Sequence, residues 1–130
     1  MTQSVDEAIT QAALQTGVDR NALERLVYKE SRGNINVGWD PQHYTQGVAQ
    51  VSETVWDEYS TVPWSEAGDA DQYKENIEVA AMYLKSQYNN FETWTLALES
   101  YNAGPSVVNQ VLSGQRQFSP ITQNYVAGFN

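Results

Sequence analysis

The sequence predicts a mainly α single domain, residues 1–130, of about seven short helices with at most a small β-hairpin. Three observations lead there. Apolar residues recur at helical spacing in stretch after stretch, most clearly Tyr73, Ile77, Ala80, Ala81, Leu84 and Tyr88. Gly, Pro and Asn cut these stretches into short pieces at Gly17, Gly33, Pro63 to Gly68, Gly104-Pro105, Gly114 and Pro120. Period-two alternation is scarce, and only residues 35–39 and 47–51 are candidates for a short strand pair.

Taken in order, Ser4-Val5-Asp6-Glu7 has the capping-box pattern, and Val5, Ile9, Ala12 and Ala13 supply a helical face that Gly17 stops. Asp19 caps a second helix with Leu23, Leu26, Val27 and Glu30 on one face, and Gly33 ends it. Residues 33–47 lack periodicity and read as a long loop. Ser52 with Glu53 opens a third helix through Tyr59, and the fourth runs from about Asp71 to Tyr88. Thr93 caps a fifth helix reaching Asn102. Gly104-Pro105 then stops one helix and opens the next, because Pro suits a first turn. Gly114 ends the sixth helix, and Pro120 to Phe129 forms the seventh.

Composition narrows the function. With 130 residues, 41% of them hydrophobic, the chain can fill one core, and no run approaches the roughly 18 apolar residues of a spanning helix. The 16 acidic and 7 basic residues leave a net charge of −9, which argues against nucleic acid and against an anionic membrane surface. With no cysteine and one histidine, thiol chemistry, disulfides and the usual metal sites drop out, and no cofactor is implied. The start has no basic segment followed by an apolar run, so it reads as lacking a secretory signal. Four Trp and eight Tyr point toward a neutral ligand, a sugar or a peptide, although aromatics also fill cores.

Glu30 is the most informative residue. At about 100° per residue it shares the arc of Leu23, Leu26 and Val27, which places a carboxylate on the inward face of its helix. It also stands in the last turn, where the helix dipole disfavours its ionised form. Both effects push toward a proton retained near neutral pH, as suits a general acid acting on a glycosidic oxygen. A simpler reading stays open, in which the helix end frays and Glu30 turns to solvent or pairs with Lys29 or Arg32. Arg25, Lys29 and Arg32 lie on another face, as a solvated stripe or a ligand patch.

Tyr101 shares the face of Trp94, Ala97 and Leu98, so its ring packs inward and its hydroxyl needs a partner. Asn102 either caps the helix end or faces a cleft. Gly47 permits close approach of another backbone or a ligand, and Gln50 is either a satisfied buried amide or a ligand contact. His43 reads as a surface loop residue with no partner pattern. Glu78 and Glu99 fall off the main apolar faces and are expected to be exposed. Asp40 matters only if the reaction is a hydrolysis with an activated water.

Glu30-Ser31, then Gly47-Val48-Ala49-Gln50, then Asn76-Ile77 with Tyr83-Leu84, then Tyr101-Asn102-Ala103-Gly104-Pro105, then Tyr125-Val126 form an ordered set. In this the chain resembles the soluble lytic transglycosylase domain, which has the goose-type lysozyme-like fold, over roughly residues 5 to 127. The resemblance implies a peptidoglycan glycan strand as partner. It implies cleavage of the MurNAc–GlcNAc β-1,4 bond with formation of a 1,6-anhydro product. Glu30 acts first as acid and then as base, the sugar's own 6-hydroxyl attacks, and neither a second carboxylate nor a metal is needed. By similarity Tyr101 orients Glu30, Gln50 and Asn102 contact the saccharide, Tyr125 lines the cleft, and Ser31 belongs to the substrate-binding motif while steadying the helix end.

The chain departs from the family pattern at three places. Ala49 and Ser52 stand where Met is usual, and Ile121 where Glu is usual before the last Tyr. Trp39 and Tyr44, in the long loop, are candidate substitute stacking surfaces. A hydrolytic muramidase using Asp40 or another loop acid, and a non-catalytic wall-binding or structural domain, are the competing readings. To reach the periplasm, such a domain would be carried in a phage virion or form part of a larger virion or envelope protein.

Overall fold

The structure, a computed structural model, describes residues 2–129. Helix α1 (Gln3–Thr16) buries Val5, Ala8, Ile9 and Ala12 and stops at Gly17, whose φ of 77° suits glycine. Its cap is Thr2, which accepts from the Val5 N–H at 3.3 Å. The expected Ser4 capping box is therefore not used. The helix starts at Gln3, two residues before the apolar stripe begins at Val5, and Glu7 instead accepts from the Gln3 side-chain amide. Helix α2 (Arg20–Ser31) starts where expected, with the Asp19 carboxylate accepting from the Ala22 N–H at 2.9 Å. Arg20 ties the start of α2 to α1 through the Thr10 hydroxyl and the Asp6 carboxylate, and reaches Glu24 along its own helix.

The strands differ from the expected pair 35–39 with 47–51. Three two-residue strands, β1 (Trp39–Asp40), β2 (Thr45–Gln46) and β3 (Val51–Ser52), form an antiparallel sheet in the order β1-β2-β3. Trp39 faces Gln46 and Asp40 faces Thr45; Thr45 faces Ser52 and Gln46 faces Val51. Residues 47–50 cannot extend because Gly47 (φ 84°) and Gln50 (φ 51°) are both left-handed, which turns the chain between β2 and β3.

Ser52 caps α3 (Glu53–Tyr59), whose Trp56 is fully buried and donates its indole N–H to the Val62 carbonyl at 2.6 Å. Two 3-10 turns, Trp64–Glu66 and Ala70–Gln72, lead into α4 (Tyr73–Phe91). The chain divides within α4 into two compact units, one ending at Tyr83 and one starting at Leu84. The first has its core in Ile9, Leu23, Leu26, Val27, Val48, Val51, Trp56 and Ile77, all buried.

In the second unit Thr93 caps α5 (Trp94–Ala103), Gly104 separates it from α6 (Pro105–Leu112), and Ser119 caps α7 (Pro120–Val126). α7 ends three residues earlier than expected, where Ala127 turns extended and Gly128 takes a φ of 77°. Helix α5 packs against both α6 and α7, and Leu98, Val108, Thr122 and Tyr125 are buried. The expectation that Glu99 is exposed is corrected: it is only 8% exposed, and burial pushes its carboxyl above the usual range. Glu78, in the first unit, is half-buried, and its carboxyl is raised by burial and then by the charge of Glu75.

Candidate active site

Glu30 stands in the last turn of α2, half-buried, at the end of the row Leu23, Leu26 and Val27 that is wholly buried. What fixes that helix end is its neighbour. The Ser31 hydroxyl donates to the Val48 carbonyl at 2.6 Å and accepts from the Gly33 N–H at 3.1 Å. Its hydrogen and an acceptor site are thereby engaged by backbone, and the end of α2 is fastened to the 47–50 turn. Arg32, in the left-handed region, closes the helix through its N–H to the Tyr28 carbonyl.

Gln50 is 9% exposed, and its side chain is engaged within the protein. Both amide hydrogens are taken, one by the Gly47 carbonyl at 2.9 Å and one by the Gly38 carbonyl at 3.2 Å, while its oxygen accepts from the Thr45 hydroxyl at 2.7 Å. Two carbonyl neighbours fix which end of the amide is nitrogen. Of the two readings left open by the sequence, the structure shows the amide satisfied within the protein.

The residue that holds this turn in place stood in the sequence only as part of the Asn76-Ile77 motif block, with no role assigned to it. Asn76, fully buried on α4, accepts from the Ala49 N–H at 2.8 Å and donates to the Gln46 and Ala67 carbonyls, each at 3.1 Å. Gly47 is required beside it, because a Cβ there would lie 2.3 Å from the Asn76 amide nitrogen. The freedom expected of Gly47 thus serves a side chain of the protein. Ala49 is fully buried against this junction and Ser52 caps α3, so two of the departures from the family pattern carry local structural duties.

Asp40 and His43 lie in the turn between β1 and β2. One Asp40 oxygen accepts from the Gln42 N–H at 2.9 Å and the other pairs with the His43 Nδ1 at 2.8 Å, so His43, exposed as expected, does have a partner. The His43 contact first, then the Gln42 N–H, holds the Asp40 carboxyl below its ordinary value of 3.8. A lowered value means that the charged form is the one the folded turn stabilises. That stability is present above pH 3.8 and is lost as pH falls through the lower folded value. A carboxyl-carbon NMR titration of Asp40 is expected to show its midpoint below 3.8, with the 40–44 amides exchanging faster beneath it; a midpoint above 3.8 contradicts the pairing.

The remaining predicted residues lie in the second unit. Tyr101 is half-buried on α5. The Asn102 side-chain oxygen accepts from the buried Thr122 hydroxyl at 2.7 Å, which joins the end of α5 to α7. Among the described residues its amide hydrogens have no hydrogen-bond partner, and the residue is half-buried. Tyr125, on α7, is buried. Ile121, at the third departure, is 74% exposed. Glu99 follows Leu98 on α5, and its neighbour Ser100 donates to Gln87 at 2.7 Å.

A cavity of about 400 Å³ opens elsewhere, between α1 and the start of α4, beside Glu7, Ala8, Gln11, Tyr73, Lys74 and Glu78. It contains none of the predicted site residues. Among the described residues, no group of three or more His, Asp or Glu could hold a metal, and no helix is long and apolar enough to cross a membrane.

Among the described residues, seven α-helices and a three-stranded miniature sheet fit the mainly helical, lysozyme-like fold class. The model of the transglycosylase SLT domain matches residues 7–124, and the chain belongs to that family. The family's chemistry is lytic transglycosylation, with peptidoglycan as substrate. No curated protein and no solved structure is similar enough to match.

Proposed function

We propose that this chain cleaves the MurNAc–GlcNAc β-1,4 bond of peptidoglycan without water, with Glu30 as the single general acid and base. The observation that carries this reading is the half-buried Glu30 at a helix end that Ser31 fastens to the 47–50 turn. A proton donor needs a fixed position and partial desolvation, and this junction supplies both.

Glu30, protonated, gives its proton to the glycosidic oxygen as the C1–O bond breaks, and the leaving sugar departs as an alcohol. The carboxylate so formed takes the proton of the 6-hydroxyl as O6 bonds to C1, which closes the 1,6-anhydro ring and restores the acid. The sugar's N-acetyl group assists at C1 between the two steps. Ser31 is a positioning residue, acting through the helix end. By resemblance to the family, Gln50, Tyr101, Asn102 and Tyr125 are the residues assigned to saccharide contact. The setting is local opening of the cell wall, in phage entry or in an envelope-spanning assembly.

Hydrolysis requires a further base for the water, and the carboxylate first considered for it is poorly suited. Both Asp40 oxygens are engaged in the turn, and its lowered pKa weakens it as a base. Digestion in water enriched in heavy oxygen separates the routes. Transglycosylation leaves the new end unlabelled, whereas hydrolysis adds one labelled oxygen per cut and would overturn the proposal.

A further inference from the structure

The β1–β2 hairpin carries an aromatic cluster that nothing in the chemistry above uses. Trp39 meets Tyr44 edge to face at 6.0 Å between ring centres and Trp64 at 6.4 Å. Trp39 is 47% exposed and Tyr44 71% exposed, so two large rings are held at the surface. Trp64, half-buried on the 3-10 turn, is tied to the sheet because its carbonyl accepts from the Gln46 side chain at 3.1 Å.

Folding alone does not account for Tyr44. A ring so exposed buries little, and its backbone sits at φ 57°, in the left-handed region where a tyrosine is strained relative to the relaxed chain. Glycine would occupy that position without strain. The ring is therefore kept at a local cost, in a turn braced by Asp40.

The cluster is also coupled to the proposed site. The carbonyl of Gly38, next to Trp39, accepts from the Gly47 N–H at 3.0 Å and from the Gln50 amide at 3.2 Å. The same 47–50 turn receives the Ser31 hydroxyl from the end of α2. One turn thus sets the position of both the hairpin and the Glu30 helix end. A neutral pyranose suits such a surface: its C–H faces pack on aromatic rings, while its hydroxyl and acetamido groups stay in water. The net charge of −9 gives a neutral sugar the advantage over an anionic ligand.

We propose that Trp39, Tyr44 and Trp64 form a sugar-stacking platform, an added subsite that holds an N-acetylated pyranose of the glycan strand away from the bond being cut. This rests on the reading of the chain as a glycan-cleaving domain. The platform is tested by binding of a β-1,4-linked GlcNAc oligomer to the full Glu30→Gln chain, in which turnover is expected to be strongly slowed. Adding Tyr44→Gly is expected to weaken binding about tenfold, the scale of truncating an aromatic anchor, while the thermal midpoint holds or rises. Trp39→Leu is expected to weaken it at least as much. Affinity within a factor of about two in both variants overturns the platform. So does a fall in Tm with Tyr44→Gly, which would make the ring a folding element, or a loss of self-association by light scattering, which would make the cluster a contact between copies. Product analysis of Tyr44→Gly with Glu30 intact keeps the two readings apart. Anhydro ends with unchanged oligomer affinity sink the platform alone, and weakened affinity in a chain that never cuts sinks the catalytic reading alone.

Discussion

Replacing Glu30 with glutamine is expected to slow peptidoglycan cleavage by about 10²–10⁴-fold, the range that general acid–base catalysis supplies. The amide has the shape of the acid but no transferable proton, so both steps fail at once. Because Glu30 is half-buried at a helix end already closed by Ser31 and Arg32, the substitution should leave the fold intact. Clearance of a cell-wall suspension, read beside circular dichroism and a thermal melt, checks both halves. Near wild-type rates in a folded Glu30→Gln chain would remove Glu30 from the mechanism.

The largest expected effect on stability falls at Asn76. Leucine there is close in volume but makes none of its three hydrogen bonds, leaving the Ala49 N–H and the carbonyls of Gln46 and Ala67 without their partner. Each buried group left unpaired costs about 1–3 kcal/mol, so for the three groups a loss of about 3–9 kcal/mol is expected, comparable with the whole stability of many domains. Gly47→Ala attacks the same junction from the other side, through a left-handed φ and a Cβ driven into the Asn76 amide. The two substitutions break one structure, so the double variant should lose clearly less than the sum of the singles. Urea unfolding of the three chains measures this. Full additivity would mean that the turn and the helix are held separately.

Local signals made much of the fold legible in the sequence. Asp19, Ser52, Thr93 and Gly104-Pro105 act on backbone groups within three or four residues of themselves, and the structure uses each as expected. The misses involve competition or distance. Ser4 lost the cap to Thr2, an equally capable residue two positions earlier. The strand pairing shifted because left-handed geometry at Gly47 and Gln50 turns a segment that alternates like a strand. Glu99 is buried although it falls off the apolar stripe of α5, because a reading of one helix face takes no account of the tertiary packing around it.

The candidate site was partly legible for the same reason. The inward position of Glu30 follows from one helix's periodicity. The clamp on the turn beside it joins Asn76 to Ala49 across 27 residues, and the Gln50 amide reaches back 12 residues to Gly38. Neither leaves a periodic trace.

The central claim is a bond broken without water by one acid. Purified peptidoglycan digested by the wild-type chain and by Glu30→Gln, with the soluble products identified by mass spectrometry, tests it most directly. Muropeptides ending in 1,6-anhydroMurNAc from the wild type alone are the predicted result; reducing ends, or no release from a folded wild-type chain, would contradict it.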